Sequence, residues 1–170
     1  LGARLDHDDF LNNTNIAWRS RALFDITGDK RWVLNMGANR YYSGPLLTYK
    51  LRQAAKPYQT EYRGISQNVL NNWEIDGDEG TYKYQFTDVK TPYSDELVLG
   101  LRAQILGGVG EIKALQRENR DEFSRTTTPM QNDGYRYYLV NNDGYSNYKS
   151  IALNWDGKFK TMTLGMNITW

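Results

Sequence analysis

The chain contains no cysteine, which removes disulfide cross-links and thiolate metal sites. It has a single histidine, His7, so every histidine-activated nucleophile would have to share it. Neither sign of charge dominates: 21 Lys and Arg stand against 20 Asp and Glu. That balance offers no basic nucleic-acid surface and no acidic tail. No run of about 18 apolar residues occurs, which excludes a transmembrane helix. It does not exclude a membrane barrel, whose strands alternate and so dilute the hydropathy signal.

What is present is a period of two. Hydrophobic residues make up only 39% of the chain, yet aromatics reach 14%, with 13 Tyr and 5 Trp. Ile16, Trp18, Ser20, Ala22, Phe24 and Ile26 alternate with Ala17, Arg19, Arg21, Leu23 and Asp25. Trp32, Leu34, Met36 and Ala38 oppose Val33, Asn35, Gly37 and Asn39; Leu97, Leu99, Leu101, Ala103 and Ile105 oppose Val98, Gly100, Arg102 and Gln104. Ile151, Leu153 and Trp155, then Met162, Leu164, Met166, Ile168 and Trp170, repeat the pattern. Alternation at 180° per residue means a sheet with one apolar and one polar face. The apolar set is expected to meet lipid. The polar set, with Asn154, Thr163 and Asn167, is expected to face a wet or plugged interior.

The connections sort into two kinds. Thr27-Gly28-Asp29-Lys30, Gly107-Gly108-Val109-Gly110 and Asp156-Gly157-Lys158 read as tight hairpin turns, because Gly and Asp tolerate positive φ. Residues 43–93 and 124–143 read as long polar loops, and a shorter outer turn lies near 9–13. Short and long connections therefore alternate, as periplasmic turns and extracellular loops do in outer-membrane barrels. Segment 109–123 is the weakest strand, since its local propensity favours a helix; it is read as a strand because its neighbours need a partner. A half-buried sheet of a soluble β-sandwich also alternates. Several runs here are longer than the ~5–6 residues typical of soluble strands and suit the ~9–11 of a tilted membrane strand.

Few residues suggest chemistry. Asp6-His7-Asp8-Asp9 could offer metal donors, but consecutive strand residues point to opposite faces, and a solvated strand tip is the plainer reading. Asp76-Gly77-Asp78-Glu79 hints at a calcium loop without the remaining ligands. Gly107-Gly108-Val109-Gly110 opens no helix, so it is no phosphate loop. No catalytic, metal or cofactor residues are assigned. The candidate ligand residues are aromatics in or beside the long loops: Tyr41, Tyr42, Tyr58, Tyr62, Tyr135 and Tyr137. Aromatic loops on a rigid scaffold can form a ligand vestibule, or else an interfacial girdle.

Four stretches resemble the barrel of TonB-dependent receptors. GARLDHDDF is similar to the family's Gly-x-Arg-x-Asp strand rising to an outer loop. NIAWRSRALFDITGDKRWVLNMGANRYYSG resembles the next hairpin, with Trp18 before Arg19 where Pro is usual. TPYSDELVLGLRAQI resembles a descending strand that begins Pro-x-x-x-Glu. NNDGYSNYKSIALNWDGKFKTMTLGMNITW resembles a later hairpin, with Ser150-Ile151-Ala152 where Gly-Val-Glu is usual. The resemblance covers most of the chain outside 45–90. It implies an all-β, antiparallel transmembrane barrel segment of about seven strands, out of 22. It also implies energy-coupled uptake of a scarce ligand, such as a siderophore, haem or another small-molecule or metal-chelate nutrient, at the bacterial outer membrane. The expected partners are lipid, that ligand and, by resemblance alone, the TonB system; nucleic acid is not among them. The reading is a receptor or transporter and not an enzyme; the alternatives are a passive porin-like barrel and a soluble β-sandwich binding module.

Counting strands between the three tight turns gives seven, an odd number for a bacterial barrel. The chain is therefore expected to be an internal piece without its plug, forming an open sheet whose first and last strands do not pair.

Overall fold

The computed structural model describes all residues except 44–46, 57, 59–60, 67–68, 76–81 and 87. Six long strands carry the fold with the shorter β1 (Gly2–Asp8): β2 (Asn13–Asp25), β3 (Trp32–Tyr42), β9 (Tyr93–Ile105), β10 (Gly108–Thr127), β11 (Arg136–Phe159) and β12 (Met162–Thr169). Between β3 and β9 lie α1 (Leu47–Ala54), the two-residue strands β4 (Glu61–Tyr62), β5 (Ile65–Ser66), β6 (Val69–Leu70) and β7 (Glu74–Ile75), and β8 (Tyr82–Phe86). The main sheet runs β1-β2-β3-β9-β10-β11-β12, with neighbours antiparallel. Among the described residues β1 and β12 do not pair with each other, so the sheet is open. Its eighth strand was not expected: β8 pairs in parallel with β11, Tyr82 opposite Arg136 through Phe86 opposite Val140.

Register decides which side chains share a face. Phe24, Leu34, Leu101, Ile112, Leu153 and Ile168 lie directly opposite one another across six strands. The next row toward the loops is Ala22, Met36, Leu99, Ala114 and Ile151. All but Ile112 and Ala114 of β10 belong to the apolar set, and those two extend it across β10. Arg19, Asn39, Glu96, Arg117 and Tyr148 form a row on the other face. The expected two-faced sheet is therefore present.

Little of this sheet is covered. Among the described residues only Ala17, Val89, Ala103 and Val140 form a buried apolar core, while Leu97 is 57% and Leu99 52% exposed. The accessible surface is 12631 Å², against about 8,600 Å² for a compact chain of this mass. A sheet that leaves its apolar face bare needs a covering that this chain does not supply.

One expectation is borne out and two are corrected. Segment 109–123 is strand, as read, within β10 and despite its helical propensity, because it is flanked on both sides by paired strands whose backbone groups it satisfies; its pairing with β11 is bulged beyond Asn119. The second long loop is mostly strand: β10 and β11 extend into 124–143, with bulges between Asn119, Glu122 and Ser124, leaving 128–135 as the connection. The turn assigned to Asp156-Gly157-Lys158 lies at Lys160 and Thr161 instead. Gly157 stays in the strand opposite Gly108, with the Trp155 ring lying over it, and Lys160 takes the positive φ of 50°. Leu106 and Gly107, at φ 52° and 71°, make the two-residue turn between β9 and β10, the conformation hairpin twist demands.

Candidate functional site

At the end of the sheet away from the tight turns, the backbone of residues 88–92 crosses between strands. The Asn13 amide donates to the Val89 carbonyl at 3.1 Å, and the Asn15 amide to the Thr91 hydroxyl at 3.0 Å. From β11, the Asn142 side chain accepts the Lys90 N–H at 2.6 Å and donates to the Lys90 and Asp121 carbonyls. Val89 and Thr91 are buried beneath this clasp. Three asparagines thus tie the first loop to β2 and β11, using the amide's ability to donate and accept at once.

The clasp and the β8–β11 ladder bring both loops together around aromatic rings. Tyr82 and Tyr138 stack at 4.6 Å, and Tyr84 lies 5.0 Å from Tyr138. Phe86 meets Phe10 at 5.2 Å, and Tyr49 of α1 packs edge-on against Phe86 and Phe123. Cations lie over these rings: Arg125 is 4.5 Å from Tyr138, Arg52 is 5.7 Å from Tyr84, and Arg136 is 5.9 Å from Tyr82. Parallel pairing puts Tyr82, Tyr84, Arg136 and Tyr138 on one side of the ribbon and Lys83 and Tyr137 on the other. On that second side Lys83 lies 3.4 Å from the Tyr135 ring and 4.0 Å from Asp133. The Tyr137 hydroxyl donates to Asp133 at 2.6 Å. That bond holds the Asp133 carboxyl below its ordinary value and pushes the Tyr137 phenol up.

The expected tyrosines do not all meet. Tyr135 and Tyr137 join this cluster. Tyr41 ends β3 on the polar face, its ring under Arg19 at 5.1 Å. Tyr42 lies on the apolar face beside Tyr93. Tyr58 is exposed, and Tyr62 donates to Glu74 within the small β4–β7 pair. Tyr49, Tyr82, Tyr84 and Tyr138 carry more of the cluster than the sequence reading gave them. The signal for Tyr82 and Tyr84 was an alternating Tyr-Lys-Tyr-Gln-Phe inside a stretch read as loop. His7 contacts Thr14, Asp8 caps the turn through the Phe10 and Leu11 N–H groups, and Asp6 pairs with Arg4. The motif at 76–79 lies outside the described residues.

The polar face is internally paired. Glu96, 8% exposed, accepts from Arg117 at 2.5 Å and from Asn39 at 3.4 Å. Asn119 links Ser94 to Ser146. On the apolar side Trp32, Trp155 and Phe159 cluster toward the tight turns, and Trp18, Tyr42 and Tyr93 toward the loops. An apolar band between two aromatic rows is the outer surface of a membrane barrel.

Comparison with known proteins agrees. The chain is 30% identical over 158 residues to YddB of Escherichia coli strain K12, covering 91% of this chain and 18% of YddB. The crystal structure of that outer membrane transporter superposes with a TM-score of 0.69 at 26% identity, again over 91% of this chain and 18% of that one. This chain is a segment of an outer-membrane β-barrel homologous to YddB. The siderophore receptors PirA of Pseudomonas aeruginosa and Acinetobacter baumannii share the fold, with TM-scores of 0.62 and 0.57 at 14% identity. They are covered over 30% and 23% of their lengths, by 99% and 92% of this chain. No protein-family model matches. The resemblance to receptor barrels is thereby borne out, as are the partial-barrel fold and the outer-membrane location. The chain spans about a fifth of the relatives' length. A broad depression on the apolar face, of about 980 Å³, lies over Ala22, Met36, Leu99, Ala114 and Ile151.

Proposed function

We propose that this segment serves an outer-membrane receptor that takes up a scarce small-molecule or metal-chelate ligand by energy coupling through the TonB system. The loop end of the sheet would face outside and the tight turns the periplasm. The observation that carries this reading is the loop-end cluster, where the 43–93 connection and the outer ends of β10 and β11 converge on one ribbon of tyrosines and cations. Passive pores need no such construction, whereas recognition sites gather on loops held by a rigid scaffold. The siderophore receptors that share the fold make a chelate the first ligand class to try.

Deleting residues 55–85 from the whole receptor should leave a folded barrel and abolish or strongly weaken uptake, measured with radiolabelled nutrients in cells. Uptake unchanged by that deletion would sink the receptor reading for this segment.

A further inference from the structure

Four loop-end cations have carboxylate partners. Arg40 pairs with Asp95, Arg117 with Glu96, Arg120 with Glu118 and Lys83 with Asp133. Among the described residues, Arg52 and Arg125 pair with no carboxylate. Both nevertheless converge on one phenol. The Arg125 guanidinium donates to the Tyr84 hydroxyl at 3.3 Å and lies over Tyr138. Arg52 lies between Tyr49 and Tyr84, at 5.8 and 5.7 Å. A ring beneath a guanidinium covers its flat face and leaves the N–H edge open. Two like charges sharing a ring repel, and that repulsion is relieved when an anion comes between them. Paired guanidinium edges match the oxygens of carboxylate or phosphate.

We propose that this side of the ribbon binds a soluble anionic ligand, its oxyanion groups held by Arg52 and Arg125 around Tyr84. The proposal rests on the receptor reading above and names the ligand's charge class. Tyr138 lies thirteen residues along β11 from Ile151 of the apolar band, which is about 40 Å of strand. That height favours a soluble anion over a lipid headgroup.

The test uses the full-length receptor in nanodiscs of zwitterionic lipid, with trimesate (benzene tricarboxylate) and its neutral trimethyl ester as probes, read by calorimetry. Trimesate should bind and the ester should not, and added salt should weaken binding. Arg52→Gln and Arg125→Gln should each weaken trimesate binding about tenfold, while Arg125→Lys, which keeps the charge, retains most of it. Parent-like binding by both Gln variants, ester binding equal to trimesate, or no trimesate binding by the parent would each overturn the proposal. So would loss of trimesate binding in phosphatidylglycerol discs, which would mark a headgroup site. If the 55–85 deletion spares uptake, the receptor reading fails. If the deletion stops uptake but both Gln variants bind and transport like the parent, only the anion assignment fails.

Discussion

Asp133 and Tyr137 show how one hydrogen bond links two titrations. The bond keeps the Asp133 carboxyl below its ordinary 3.8 and raises the Tyr137 phenol above its ordinary 10.0. For Asp133 the folded value is the lower one, so its contribution to stability is present above about pH 4 and fades as pH falls through that lowered value. For Tyr137 the folded value is the higher one, so its contribution is present below about pH 10 and fades as pH rises past it. The two shifts describe the same bond, and both groups are exposed, so the effect is local. Asp133→Asn should return the phenol toward its ordinary value, read as the difference in phenolate absorbance between that variant and Asp133→Asn/Tyr137→Phe. An unshifted phenol titration would remove the bond from the account.

At the scale of elements, the first loop is held by asparagines, since it has little apolar burial to hold it. Asn142 makes three bonds to backbone groups, Asn13 makes a fourth, and Asn15 adds one to the Thr91 hydroxyl. Asn142→Ala removes all three bonds, each worth about 0.5–1.5 kcal/mol net, since water can reach the exposed Lys90 groups. Amide exchange at Val89 and Lys90 should quicken by one to two orders of magnitude, roughly what such a loss implies, while the β10–β11 core keeps its protection. Unchanged exchange at both residues would show that the clasp does not hold the loop. β8 depends on this tether, because a five-residue parallel strand on an edge has little stability of its own.

For the whole molecule, the governing fact is that one face of the sheet is dressed for lipid. Leu153 lies in a row with Leu101, Ile112 and Ile168, one row inside the band from the Trp32 and Trp155 row. Leu153→Arg should destabilise the barrel by ~1–3 kcal/mol, between the interfacial and midplane costs, and Asn154→Arg, on the wet face, far less. Leu164 was the natural sequence-based choice for this experiment. It pairs with Gly157, four residues from Lys160 at the turn, so arginine there should cost only about 0–1 kcal/mol. Urea titration of the refolded barrel in lipid vesicles measures all three. Equal costs for Leu153→Arg and Asn154→Arg would refute the assignment of faces.

The sequence by itself determined the two faces, the hairpin rhythm and the barrel class. A side-chain period of two is local, and Trp18, Leu99 or Met166 declares its face without reference to any distant residue. It also singled out Tyr135 and Tyr137, which the fold brings beside Lys83 and Asp133. Only the tertiary structure decided that the last turn falls at Lys160 and that Tyr82 and Tyr84 meet Tyr138. Those outcomes depend on cross-strand register and on a parallel pairing between segments about fifty residues apart. Such long-range pairing leaves no periodic mark in either segment, because its free energy comes from contacts that exist only once the sheet has formed.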